Sequence, residues 1–135
     1  MPSIKTFIVE DSPIILANLT ATLEETAPVV VVGHAVDEPT ALRGLLQLRE
    51  DIDLLIVDVF LGVGTGLGVL RGAAEVALRA KRVVLTNYAT PAMRTRCRAL
   101  GADRVFDKSA DLEDLILYCT RLANGPLDTV PGALR

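Results

Sequence analysis

Five short runs rich in β-branched residues punctuate this chain, and the stretches between them carry helical spacing. The runs are Ile4–Val9, Val29–Ala35, Leu54–Val57, Arg82–Leu85 and Arg104–Phe106. Two of them contain VVVV and LLIV, with no polar alternation, which predicts strands covered on both faces. Strand and helix alternating in this way build a parallel sheet through right-handed crossovers, with helices on both sides. In such a sheet all carboxyl ends lie along one edge, where open α/β sheets place their sites.

Four runs end in residues suited to a phosphoryl group. Ile4–Val9 leads into Glu10-Asp11, Leu54–Val57 into Asp58, Val83–Leu85 into Thr86, and Val105-Phe106 through Asp107 to Lys108. A carboxylate that accepts a phosphoryl group must meet an anionic donor while charge spreads over three equatorial oxygens. A Mg²⁺ ion held by oxygen ligands answers both difficulties. Glu10, Asp11 and Asp58 form a candidate acidic cradle, Lys108 a mobile positive charge and Thr86 a hydroxyl donor. Taken singly, each has an ordinary reading as a helix cap, a strand-end residue or a surface lysine. Their joint placement at four strand ends is what points to a site.

Helix signals fill the intervals. Ser12-Pro13 and Thr90-Pro91 are cap-then-proline starts. The first helix carries Ile15, Leu16, Leu19 and Leu23 on one side, and Asp37 to Glu50 carries Leu42, Leu45 and Leu46. Gly66 to Ala80 carries Leu67, Leu70, Ala74 and Ala77, while Met93, Cys97 and Leu100 face inward before a stop at Gly101. Ser109 is the expected cap of a last helix with Leu112, Leu115, Ile116, Cys119 and Leu122 on its buried stripe.

At 135 residues the chain is one domain. No apolar run approaches the roughly 18 residues of a membrane span, and MPSIKTFIVED lacks the features of a signal peptide, so a cytoplasmic location is expected. A net charge of −3 and a pI near 5.1 argue against direct nucleic-acid binding. Arg94, Arg96 and Arg98 form the one dense basic cluster and read as a solvated helix face. Cys97 and Cys119 read as small buried hydrophobes, not as ligands or a redox pair. His34 has no nearby Cys or His, which removes most serine- and cysteine-hydrolase schemes.

At the motifs FIVED, LLIVDVFLGVGTG, VVLTNY and GADRVFDKS the chain resembles the receiver domain of two-component response regulators, in particular single-domain regulators of the chemotaxis type. The likeness runs from about Ile4 to Ala123, with Gly66 eight residues after Asp58. It implies a flavodoxin-like, doubly wound, five-stranded parallel sheet of order 2-1-3-4-5 with five helices. It also implies a receiver domain over residues 1–123 and a flexible tail over 124–135. By the same resemblance Asp58 is the phosphoacceptor, and Thr86 and Lys108 contact the phosphoryl group. Asp11 ligates Mg²⁺ directly, Glu10 acts through metal-bound water, and the Phe60 backbone carbonyl completes the set with Asp58.

The implied partners are a sensor histidine kinase or histidine phosphotransfer protein and a downstream target protein, with transient homodimerisation through the fourth helix and fifth strand. The implied activity is that of a signalling module promoting its own phosphoryl transfer, not an enzyme. A stand-alone receiver is the expectation, with a fragment of a larger transcriptional regulator as the alternative. Aspartyl-phosphate phosphatases use a similar nucleophile, but they carry a second Asp two residues on, where this chain has Phe60. Three positions depart from the family pattern. Gly62 and Ser109 stand where prolines are usual, and Val105 stands in place of an aromatic switch residue.

Overall fold

The computed structural model describes residues 3–125. Its strands are β1 (Ile4–Val9), β2 (Val29–Ala35), β3 (Leu54–Val57), β4 (Lys81–Thr86) and β5 (Arg104–Asp107). They alternate with α1 (Pro13–Thr26), α2 (Glu38–Leu48), α3 (Gly66–Glu75), α4 (Pro91–Ala99) and α5 (Leu112–Asn124). All strand pairs are parallel and the sheet order is β2-β1-β3-β4-β5, as expected. Of the expected tail over 124–135, Asn124 is the last residue of α5 and residues 126–135 lie outside the described residues. No helix among the described residues is long and apolar enough to cross a membrane.

The sheet separates two apolar layers. Phe7, Val9, Val57, Val84 and Val105 join the side built with α2, α3 and α4. Ile8, Ile56, Leu85 and Phe106 join the side built with α1 and α5, together with Leu23, Leu115 and Cys119. Strand alternation produces this division, because successive side chains point to opposite faces. Val9, Val57, Val84 and Val105 are also register partners, so one row of valines crosses four strands just below the strand ends. Both cysteines are fully buried, as the sequence suggests.

Three helices start as read. Ser12 accepts from the Ile15 amide, Asp37 from Thr40 and Thr90 from Met93, each satisfying one otherwise unpaired N–H. Other expectations need correction. The valines of β2 are not covered on both faces, because β2 is an edge strand and Val30 and Val32 remain part-exposed. The second helix stops at Leu48 and passes into a short 3₁₀ turn over Arg49–Asp51. The third ends at Glu75, not Ala80, and Ala74 and Ala77 are exposed. Ala77 adopts a left-handed backbone (φ 54°) and the Leu78 amide reaches back to the Ala73 carbonyl, which turns Leu78 into the core. This termination uses the geometry that glycine normally supplies, so the sequence carries no stop signal there.

Ser109 does not cap α5. The Asp107 Oδ1 atom accepts from the Ser109 amide (2.8 Å), the Ser109 hydroxyl (2.7 Å) and the Ala110 amide (3.2 Å), while the Asp107 amide donates to Asp111 (2.8 Å). A side-chain turn centred on Asp107 therefore leads into the helix. Hydrogen bonds from Ser109 and Ala110, helped by the charge of Arg94, hold the Asp107 carboxyl below the usual aspartate value of 3.8. A depressed folded-state pKa adds stability above the unfolded pKa that is lost as pH falls through the folded one. Asp107→Ala should lower the melting temperature at neutral pH more than Ser109→Ala does. That difference should shrink once the pH drops below about 4, as thermal melts across pH would show.

Candidate phosphoryl-transfer site

The parallel register brings the polar strand ends together. The Asp58 amide donates to the Val9 carbonyl (3.0 Å), which sets the end of β3 beside the end of β1. Glu10 and Asp58 follow directly on the valine row, and both are almost wholly buried, whereas Asp11 is exposed. One carboxylate oxygen from each of Glu10, Asp11 and Asp58 falls within a 4.8 Å cluster. Lys108, reaching in from beyond β5, places its Nζ 2.7 Å from Asp58 Oδ2 and 2.5 Å from Glu10 Oε1. Thr86 ends β4 with no exposed surface, and its Oγ1 accepts from the Tyr88 amide (3.2 Å). The Lys108 amide in turn donates to the Thr86 carbonyl (2.9 Å), joining the last two strand ends.

The electrostatics follow from this crowding. Burial pushes the Glu10 carboxyl up, against the pull of the Lys108 ammonium and the Ser12 amide, which donates to Glu10 at 3.1 Å. Burial also works against the charge on Lys108, but hydrogen bonds to Asp58 and Glu10 outweigh it and hold the ammonium above the ordinary lysine value. Three carboxylates thus face a single ammonium. That excess of negative charge, presented through hard oxygen atoms, suits a divalent cation such as Mg²⁺.

The loop after Asp58 completes the rim. The Asp58 Oδ1 atom accepts from the Val59 amide (2.7 Å), so Oδ2 is the oxygen turned to Lys108. Phe60 faces Thr65 across an isolated antiparallel bridge, and its carbonyl accepts no hydrogen bond among the described residues. Gly62, the first departure from the family pattern, has φ +70° and lies beside the Asp11 carboxylate. The Phe60 and Tyr88 rings meet edge to face, centroids 4.6 Å apart, and both remain about half exposed at the mouth of the site.

Val105 stands as the sequence suggests, whereas the role of Arg94 escapes sequence reading. Val105, where an aromatic is usual, is buried in the valine row and cannot swing to the surface. Arg94 is not on a solvated face: its Nε donates to the Ala89 carbonyl (3.0 Å) and its Nη1 to the Val105 carbonyl (2.9 Å). It thereby ties the loop after Thr86 to β5. Arg96 and Arg98 do remain exposed. Nothing in the spacing of three arginines distinguishes the first from the other two.

The chain matches the response regulator receiver domain over residues 6–120 and belongs to that family. Receiver domains are signalling modules of two-component systems and not enzymes in the ordinary sense. A curated relative is the uncharacterized transcriptional regulatory protein YvfU of Bacillus subtilis (strain 168), 30% identical over 112 residues. That match covers 83% of this chain and 55% of YvfU, so the chain spans about half the length of the relative. Among solved structures, the CheX–CheY–BeF₃–Mg²⁺ complex from Borrelia burgdorferi superposes with a TM-score of 0.81 at 16% identity, covering 90% of each chain. The isolated receiver domain of RcsB from Salmonella enterica serovar Typhimurium, in the presence of phosphomimetic BeF₃⁻, gives 0.78 at 25% identity, covering 91% of this chain and 90% of that one.

Gly66 has a steric cause. A Cβ at this position would collide with the Asp58 carbonyl oxygen, a backbone atom that cannot move without shifting the end of β3. Gly66→Ala should cost about 1–3 kcal/mol of stability, the usual range for overpacking, as measured by denaturant unfolding.

Proposed function

We propose that this chain, with residues 1–123 as its receiver unit, is a phosphorylation-controlled binding module in which Asp58 accepts a phosphoryl group. The clustering of Glu10, Asp11 and Asp58 at the strand ends, with the Lys108 ammonium paired to Glu10 and Asp58, carries this reading. Asp11, Asp58 and the Phe60 carbonyl would hold Mg²⁺ directly, with Glu10 acting through water. When bound, Mg²⁺ supplies neutralising charge for the acidic cluster and the incoming phosphoryl oxygens. The donor is a phosphohistidine of a sensor kinase or phosphotransfer protein. Asp58 Oδ2 attacks phosphorus as the phosphorus–nitrogen bond breaks, and the imidazole keeps the electron pair and takes up a proton. Lys108 exchanges its contact with Asp58 for one with a phosphoryl oxygen, and the Thr86 hydroxyl donates to another.

Output then follows from Thr86. As its hydroxyl turns to the phosphoryl group, the Tyr88 amide loses its partner and the loop to α4 is released to move. Arg94, bonded to both that loop and β5, carries the shift to the surface around α4 and α5, without any aromatic rotation at Val105. That surface is the proposed contact for a downstream target protein or a second copy of the chain, in the cytoplasm. A phosphatase is a poorer fit, because Phe60 occupies the position where a general acid is required.

A second reading, the receiver portion of a larger transcriptional regulator, is favoured by the share of YvfU that the match leaves uncovered. DNA contact would then belong to the remainder of that protein. The position of the stop codon in the gene decides between the two.

Incubation with acetyl phosphate and Mg²⁺ should add one phosphoryl mass, and either Asp58→Asn or a chelator should prevent it. Undiminished labelling of the Asn variant would refute the assignment. The aromatic pair at the mouth, without a carboxylate or amide to orient water, should shield the acyl phosphate and slow its hydrolysis. Phe60→Asn combined with Tyr88→Glu should therefore shorten its half-life, read by the decay of the phosphorylated mass. An unchanged or longer half-life would contradict the shielding.

A further inference from the structure

The run Gly62-Val63-Gly64-Thr65-Gly66-Leu67-Gly68 places glycine at every second position, and only part of it is explained by the site itself. Gly62 turns the chain and Gly66 clears the Asp58 carbonyl. Gly64 and Gly68 face neither. A Cβ at Gly64 would run into the Glu38 side chain, and one at Gly68 into both Glu38 carboxylate oxygens. Glu38 is the first residue of α2, and no sequence signal connects it with the strand ends.

Its two hydrogen bonds to other elements both go to one loop. The Glu38 amide donates to the Val63 carbonyl (3.1 Å), and its Oε1 accepts from the Thr65 amide (2.9 Å). The carboxylate also lies against the first turn of α3, where negative charge is favoured by the helix dipole. The loop from Val59 to Thr65 is anchored at its start by Val59 and Leu61, both buried in the apolar layer, whereas Gly62 to Thr65 are exposed and have no core contact to hold them. Its internal bonds are the tight turn from the Val63 amide to the Leu61 carbonyl (2.6 Å) and the closure from the Gly66 amide to the Val59 carbonyl (2.7 Å). Two of its residues, Gly62 and Gly64, have positive φ, so its backbone has wide freedom once released. This same loop carries the Phe60 carbonyl.

We propose that Glu38 is a positioning residue for the cation site: it clasps the loop between β3 and α3 and so holds the Phe60 carbonyl in the orientation that Mg²⁺ requires. The proposal rests on the cation reading given above. Glu38 touches neither the ligands nor the phosphoryl group, and it acts through the Thr65 amide and the Val63 carbonyl alone. The glycines at 64 and 68 are the complement of the clasp, leaving room for its side chain.

Mg²⁺ titration of the full chain by calorimetry, paired with amide hydrogen exchange of the metal-free protein, tests this. Partners of metal ligands typically contribute about 10- to 100-fold in affinity, so Glu38→Ala should weaken Mg²⁺ binding at least tenfold. Glu38→Gln, whose amide oxygen can still accept from Thr65, should recover most of that loss. Gly68→Ala should reproduce the Glu38→Ala defect, because it displaces the same carboxylate. In metal-free Glu38→Ala the Thr65 amide should exchange faster while the strand amides of β1 and β3 keep their protection.

Wild-type affinity in Glu38→Ala would overturn the proposal. So would a uniform rise in exchange across the sheet, which marks a general loss of stability. Failure of the wild-type chain to bind Mg²⁺ would instead overturn the cation reading. The clasp would then stand or fall on the Thr65 amide, and unchanged exchange at that position would overturn it.

Discussion

The Lys108 ammonium, set between Glu10 and Asp58, is the interaction on which the upper edge of the molecule depends. Two nearly buried carboxylates this close would repel each other and lose their hydration, a penalty of several kcal/mol per ion in a protein interior. One cation reaching in from the far side of the sheet offsets both effects. It can do so only because a row of valines aligns β1, β3, β4 and β5, so that residues 98 positions apart in the chain meet at one edge. The compensation is still incomplete, since three carboxylates face one ammonium and burial keeps Glu10 above its usual range. A site left short of positive charge is a site prepared to receive it.

Rigid elements and loops divide the remaining work. The strands fix Glu10, Asp58 and Thr86 at or just past their ends, in positions that cannot drift without disturbing two apolar layers. The loops supply Phe60, Tyr88 and the close approach of α3, and these can change without unfolding the sheet. Glycine recurs in the loop after Asp58 because neighbours crowd it from both sides, the Asp58 carbonyl on one and Glu38 on the other.

One departure from the family pattern, Val105, lies where the proposed signal would leave the site. A buried valine replaces a movable aromatic, and an arginine bonded to two backbone carbonyls spans the loop and strand that the aromatic would otherwise link. A polar strap of this kind has fewer alternative packings than a ring moving between pocket and surface. In the proposed switch it would transmit displacement only while both of its hydrogen bonds hold.

Much of this was legible in the sequence because it is local. Strand runs, the caps at Ser12 and Thr90, and the polar residues at strand ends each depend on neighbours within a few positions. Parallel pairing then brought the proposed site residues together, since right-handed crossovers leave little choice of edge. The misread features depend on partners that spacing does not reveal. Whether VVVV lies inside the sheet or at its edge is settled by strand order, and the early end of α3 by the pull of Leu78 into the core. The turn at Asp107 displaced the expected Ser109 cap because an aspartate can accept three donors at once. Arg94 and Glu38 were silent for the same reason: their hydrogen bonds close across 11 and 27 residues, and charge at a helix start looks alike in sequence whether it is solvated or engaged. Sequence determined which groups stand at the strand ends; the tertiary structure decided which of the remaining polar side chains reach them, because those contacts form only after the layers have packed.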